Sequence, residues 1–306
     1  MILCCGEALI DMLPRVSQGG ELAFAPYAGG AVFNTSVALG RLDANPGFFC
    51  GLSTDLFGEM LETKLSEAGV SSDLAFRSSR PTTLAFVRLT DGHANYTFYD
   101  ENSALRVMTH NDLPELPDTV SAMFFGGISL VGEPCGSAYE ALMAREAASR
   151  VTMIDPNIRP TFITDRDSYV ARIKSMMAMS DVVKLSDEDL HWLEGDGDLD
   201  GLVADLIKRG TKVVLITKGA EGSLGYTANY RVHVPANKVE VVDTVGAGDT
   251  FNAGFLAGLQ KANALDKDTL AKLSEDTLRD ALAMGARCAA ITVSRAGANP
   301  PWVHEL

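Results

Sequence analysis

Between residues 120 and 217 the chain alternates short apolar runs with longer segments of helical period. Ala122 to Gly127, Val151 to Asp155, Asp181 to Leu185 and Lys212 to Thr217 read as strands, and Ser137 to Arg150 and Leu199 to Arg209 as helices. Apolar runs without polar alternation suit strands buried on both faces, which is the signature of a parallel sheet covered by helices. Such a sheet constrains everything else, because ligands of open α/β sheets gather beyond the carboxyl ends of the strands. Residues 82–100 differ in style. Thr83 to Leu89 alternates, Asp91-Gly92 turns, and Asn95 to Tyr99 alternates again, which predicts a hairpin. The expected fold is α/β: a mostly parallel sheet with helices on both faces, plus a small β-sheet appendage.

Composition bears on partners. The 306 residues fit one large α/β domain with an appendage. A net charge of −14, from 26 basic and 40 acidic residues, argues against nucleic acid or an anionic membrane as the main partner. The five cysteines are scattered and sit mostly inside apolar runs, so they read as reduced core residues of a cytoplasmic protein. No signal peptide is apparent and no apolar run is long enough to span a bilayer. The five histidines are dispersed, with no zinc spacing and no Ser-His-Asp arrangement.

The stretch from Val242 to Phe255 carries the chemistry. An apolar run, Val239 to Val242, reads as a strand, the last of a meander after Ser223 to Thr227 and Tyr230 to Val234. Gly246-Ala247-Gly248 follows, then Asp249, then a buried helix face at Phe251, Phe255, Leu256 and Leu259. Small residues at a helix start leave its N–H groups open to an anion. An aspartate there repels that anion unless it takes a proton from an attacking hydroxyl while the amides hold the developing charge. A plain turn with an Asp N-cap is the bland alternative. A dinucleotide fingerprint needs a third glycine where Phe251 stands, and a P-loop needs a Gly-Lys pair the chain lacks.

Asp243 to Asp249 resembles the second signature of the ribokinase-like (PfkB) carbohydrate kinases, and the resemblance extends over essentially the whole chain. It implies Asp249 as catalytic base and the amides of Gly246, Ala247 and Gly248 as an anion hole. Gly29-Gly30 before a helix, with Asn34 one turn inside, resembles the first signature, which holds the sugar together with an aspartate after the first strand, here Asp11. Met1 to Gly6 reads as that strand, continued by Glu7 to Leu13, and Arg15 to Tyr27 as irregular. Asp155 to Pro160 resembles the family's Asp-x-Asn-x-Arg run, most like that of the bacterial fructokinases, and implies Arg159 near substrate and transferred phosphate. Asp155 and Arg159 read equally as a structural ion pair.

Further roles follow from the resemblance. Thr217-Lys218-Gly219 and Gly222 match the ATP loop. Ser186 and Asp189 stand where many members carry Asn-x-x-Glu, so Asp189 would organise Mg²⁺ through water. Lys184 just before them either reaches a nucleotide phosphate or is a solvated strand-end lysine. Carbonyls around Asp243, Val245, Thr292, Arg295 and Gly297 would enclose K⁺. Segments 12–27 and 82–103 would form a lid on a single domain, 1–306, with Phe98 a candidate to face the sugar and a homodimer through the lid. The expected activity is ATP-dependent phosphorylation of fructose. The alternatives are 2-keto-3-deoxygluconate, ribose or a nucleoside as substrate, because Asn102-Ser103-Ala104 departs from the fructokinase run, or a silent sugar sensor.

Overall fold

The computed structural model describes residues 1–90 and 93–306. In chain order the strands are β1 (Ile2–Cys5), β2 (Leu9–Val16), β3 (Leu22–Gly29), β4 (Pro46–Phe49), β5 (Gly51–Ser53), β6 (Phe76–Ser78), β7 (Leu84–Thr90), β8 (His93–Tyr99), β9 (Ala122–Gly126), β10 (Val151–Asp155), β11 (Val182–Ser186), β12 (Val213–Thr217), β13 (Ser223–Tyr226) and β14 (Arg231–Val234). The helices are α1 (Ala31–Arg41), α2 (Leu56–Glu67), α3 (Cys135–Glu146), α4 (Arg166–Met179), α5 (Asp187–Glu194), α6 (Leu199–Lys208), α7 (Ala247–Lys261), α8 (Lys267–Leu270) and α9 (Glu275–Val293).

Eight strands form the main sheet in the order β14-β13-β12-β11-β10-β9-β1-β4, parallel except where β13 and β14 turn back. β1, β9 and β10 are buried at every residue, as their largely apolar runs imply. α7 packs on α9 and α1, while α3 packs on α4 and α5 on α6, giving helix layers on the two faces. At the α7–α9 crossing the small residues Gly254, Gly258, Ala281 and Gly285 bring the backbones together. The chain goes from β1 to β4 on one side and later to β9 on the other. Strand order therefore reverses at β1, which opens a crevice at its carboxyl end.

A second sheet runs β3-β2-β7-β8. It corrects two expectations. Glu7 to Leu13 does not continue the first strand: β1 ends at Cys5, and β2 belongs to the smaller sheet. Arg15 to Tyr27 is not irregular, because β2 and β3 pair antiparallel from Leu9↔Gly29 to Val16↔Leu22. The glycines and proline that suggested breaks have local places. Gly20, at φ 83°, closes the hairpin turn, with its N–H bonded to Ser17 O at 2.9 Å. Pro26 lies on the edge strand β3, where a missing donor is tolerated. The expected turn at Asp91-Gly92 lies outside the described residues.

Val239 to Val242 is not a strand either. It runs as an exposed loop, with the Val242 and Asp243 N–H groups both donating to Val293 O at 2.8 and 3.2 Å. The segment bonds to the end of α9 and does not pair with the edge strand β14. The charged stretch 261–280 holds the short α8 and the start of α9, capped by Ser274.

Candidate active site

Two helix starts meet over the crevice. α1 begins at Gly30 (φ 111°) and α7 at Gly246 (φ 78°), and neither has a side-chain cap. These positive φ values suit glycine. In α7 the Ala247 N–H donates to Thr244 O at 3.3 Å, while no protein acceptor takes the Gly248 and Asp249 N–H groups among the described residues. Asn34 Nδ2, from the second turn of α1, donates to Asp249 Oδ2 at 2.9 Å. Thr35 Oγ1 donates to the Asp249 carbonyl at 3.1 Å. The Asn34 amide thus orients Asp249 rather than lying free for a ligand.

Asp249 is buried at 8% exposure. Its pKa is raised to about 7, chiefly by burial; the Asn34 bond opposes this, Asp155 adds to it, and Lys184 and Arg159 counter it. A carboxyl poised near neutrality is suited to accept a proton from a hydroxyl.

Asp11 lies within β2, one strand later than expected. Burial raises its pKa to about 6. Its carboxylate rests against Gly29, where any Cβ would collide with Oδ2. Asp11 pairs across the sheet with Ala85, and Ala85 with Phe98, so Phe98 lies on the Asp11 face. The Phe98 ring packs edge-on against Phe162 at 4.4 Å between centroids, joining the small sheet to the loop after Arg159.

Sequence reasoning passed over Glu7. It is 1% exposed, in the turn between β1 and β2. Oε1 accepts from Ala31 N at 2.7 Å and Oε2 from Ser129 N at 3.3 Å, while its carbonyl accepts from Phe33 N at 3.2 Å. Burial raises its pKa to about 7, against the pull of these donors, and the Asp249 charge raises it further. Glu7 therefore fixes the start of α1 to the loop after β9. A glutamate in an apolar run was its signal.

The expected Asp155–Arg159 pair does not form. Asp155 Oδ2 takes Lys184 Nζ at 2.9 Å and Asn252 Nδ2 at 2.7 Å, and Oδ1 takes Asn157 N at 3.1 Å. Lys184, read as a possible solvated strand-end residue, is 5% exposed. The exposed Arg159 donates from Nη1 to Ile158 O at 2.9 Å. Its charge still favours the ionised forms of Asp249 and Asp189. Asn252, one turn beyond Asp249, was not singled out from the sequence; its Oδ1 is buried without a partner.

Ser186 Oγ accepts from Asp189 N at 3.0 Å and so caps α5. The Asp189 pKa is raised, first by burial and then by Asp155. Thr217 ends β12, paired with Ser186, so the two candidate nucleotide contacts are neighbours. Lys218 pairs with Glu221, and Gly219 and Gly222 take φ values of 51° and 100° in the loop that follows. An open cavity lies beside this loop, lined partly by Lys218, Ser223, Arg231 and His233, at the sheet edge and apart from Asp249.

Asp243 fastens its loop to the tail: Oδ1 accepts from Val245 N at 3.0 Å and Oδ2 from Gly297 N at 2.9 Å. Arg295 pairs with Glu305, and Thr292 Oγ1 bonds within α9 to Cys288 O at 3.0 Å. These side chains are engaged by protein partners, and the Thr292 and Gly297 carbonyls accept from Arg295 N and Asn299 N at 3.0 and 2.8 Å.

Residues 1–305 match the sequence profile of the pfkB family carbohydrate kinases. The chain belongs to that family. The kinase is 56% identical over 280 residues to a fructokinase of Rhizobium leguminosarum bv. trifolii, covering 92% of this chain and 86% of that protein. Its fold matches a Xylella fastidiosa fructokinase with bound ATP at a TM-score of 0.87 and 30% identity, over 97% of this chain and 93% of the other. It also matches a Vibrio cholerae O395 fructokinase in its fructose, ADP and calcium ion bound form, at a TM-score of 0.82 and 26% identity, over 97% and 94% of the two chains. The kinase thus has the expected α/β sandwich, with a mostly parallel eight-stranded sheet and a small separate sheet. No helix among the described residues is long and apolar enough to cross a membrane.

Proposed function

We propose that this kinase transfers the γ-phosphoryl group of ATP to fructose, forming fructose 6-phosphate in the cytoplasm. The observation that carries the reading is Asp249: a buried carboxyl poised near neutrality, oriented by Asn34, at the open start of α7. A silent sensor has no use for such a base. Fructose as substrate is supported by the similarity to named fructokinases.

In this reading Asp11, Gly29, Gly30 and Asn34 bound the sugar site, with Phe98 closing it from the small sheet. Segments 12–27 and 82–103 act as a lid on a single domain, and closure excludes water that would otherwise hydrolyse ATP. Asp249 takes the hydroxyl proton. The amides of Gly246 and Gly248, with Ala247 N once freed from Thr244 O, and the Arg159 charge meet the transferred group, so catalysis is largely positioning and electrostatics. Thr217, Lys218, Gly219, Gly222, Ser186 and Lys184 bound the nucleotide side.

The donor set fits a hydrated Mg²⁺ held mostly by phosphates. Asp189 is one half-buried carboxylate, and no cluster of three or more metal-binding side chains occurs among the described residues. When bound, the ion would neutralise phosphate charge. The carbonyls around Asp243, Val245, Thr292, Arg295 and Gly297 suit K⁺, whose charge would add to the positive field that meets the transferred phosphoryl group.

Asn102-Ser103-Ala104 lends no support to a sibling substrate. Asn102 is a turn residue at φ 57°, Ser103 Oγ is bonded to Thr83 and to Arg106 N, and Ala104 is buried. A coupled assay over hexoses, pentoses, ketoacids and nucleosides is expected to give fructose the highest kcat/KM. The rate should vanish with EDTA and fall when K⁺ is replaced by tetramethylammonium. A tenfold higher kcat/KM for ribose or 2-keto-3-deoxygluconate overturns the substrate assignment.

The other face of the small sheet supports a homodimer. Leu22, Phe24 and Tyr99 are 91%, 48% and 62% exposed there, and Phe86 stacks between Phe24 and Tyr99 at 5.0 and 5.5 Å. An apolar surface of this kind suits a second copy of the same sheet. Sedimentation equilibrium at micromolar concentration should return twice the chain mass. A monomer that persists there removes the dimer.

A further inference from the structure

The buried lysine beneath α7 is placed oddly for a structural ion pair. Lys184 Nζ has one hydrogen-bond partner among the described residues, Asp155 Oδ2. An ammonium group carries three donors. Nζ also stands only 3.3 Å from where a Cβ at Gly248 would lie, against the first turn of α7. That helix end is the positive pole of its dipole, a poor place for a cation alone. The same spot becomes favourable once an anion lies between the ammonium and the open amides. Asn252 completes the arrangement. Its Nδ2 occupies the same Asp155 oxygen that holds Lys184, while its Oδ1 remains buried and unpaired. Asp155 is anchored a second time through Asn157 N.

From this geometry we infer that Lys184 is the cation that contacts the terminal phosphoryl group being transferred, and that Asp155 and Asn252 are positioning residues that hold it against the α7 amides. This deepens the kinase reading and rests on it. It assigns Lys184 to the terminal phosphoryl rather than to the nucleotide in general. It also accounts for a glycine at 248, since a side chain there would crowd the ammonium.

The test compares two nucleotides by calorimetry in excess Mg²⁺: the non-hydrolysable analogue adenylyl imidodiphosphate, which has a third phosphoryl group, and ADP, which lacks it. Lys184→Met is expected to weaken the analogue by roughly ten- to a hundredfold, the value of one charge-assisted hydrogen bond. ADP affinity should change by less than a factor of about two, because that bond is not made to ADP. Lys184→Met leaves Asp155 buried and uncompensated, which endangers folding. The double variant Lys184→Met/Asp155→Asn removes both charges and should show the same selective loss. Asn252→Ala should lower the ratio of analogue to ADP affinity in the same direction, with a smaller fold-change. A purely structural ion pair would lower the melting temperature and leave that ratio unchanged, which overturns the assignment. Equal losses for both nucleotides overturn it as well. A wild-type chain that binds neither nucleotide removes the kinase reading and this assignment together. A failure confined to fructose touches neither titration.

Discussion

Asp249→Asn is expected to lower kcat by ~10²–10⁴-fold, the usual contribution of a positioned general base. Asn has nearly the same shape, so sugar affinity should survive, and the Gly246 to Gly248 amides remain to support residual transfer. The pH dependence separates this role from a capping role. Asp249 must be ionised to accept the proton, so wild-type kcat/KM should fall below about pH 7, the value to which burial raises its pKa. Stability runs the other way. The folded pKa lies above the unfolded value of 3.8, so the contribution of this residue to stability is complete below that value and lost as pH rises through about 7. Asp249→Asn removes this loss, so at pH 8 the variant should melt no lower than wild type while being nearly inactive. Retention of more than about a tenth of wild-type kcat would show that Asp249 is not the base.

The second large effect is expected at Glu7, on stability first and on sugar KM through it. Glu7→Ala strands the half-buried Ala31 N–H and the buried Ser129 N–H, at up to ~1–3 kcal/mol for each donor left unpaired. That is a sizeable part of a total stability of about 5–15 kcal/mol. The start of α1, which carries Gly30 and Asn34, loses its anchor, so KM for the sugar should rise in the fraction that folds. Glu7→Gln keeps one acceptor but turns an amide donor toward one of the two N–H groups, so it should fall between wild type and Ala. Thermal melts and sugar titrations of both variants read this directly. A melting temperature unchanged in Glu7→Ala refutes the anchoring role.

The main sheet was legible in the sequence because β9, β10, β11 and β12 are buried on both faces and so appear as largely apolar runs without polar alternation. The β2–β3 hairpin was not, because its glycines close a turn and Pro26 lies on an edge strand, and both look like breaks along a single chain. Val239 to Val242 misled in the opposite sense: it has the apolar content of a strand, but no neighbouring strand offers it hydrogen bonds. The α7 motif stood out because small residues beside a carboxylate make little sense without chemistry. Its supports did not. Glu7 and Asn252 act through bonds to residues 24 and 97 positions away, which no local pattern encodes. The pairing of Asp155 with Lys184 in preference to Arg159 depends on the parallel register of β10 and β11, a tertiary fact.

The bond between Asn34 and Asp249 joins positions 215 residues apart. Such a contact closes a very long loop, and distant contacts of this kind form late and slow a chain's search for its native state. The early strands and α1 can therefore leave the ribosome with Asp11, Gly30 and Asn34 present but Asp249 not yet made. A chain that ends before α7 lacks Asp249, the helix start beside it and the packing of α7 on α1. With Asp249 as the proposed base, activity is expected only once the chain has been made through α7, and detaching α7 from α1 should abolish it. On that reading, catalysis in this kinase would report that α7 has been made and has docked on α1.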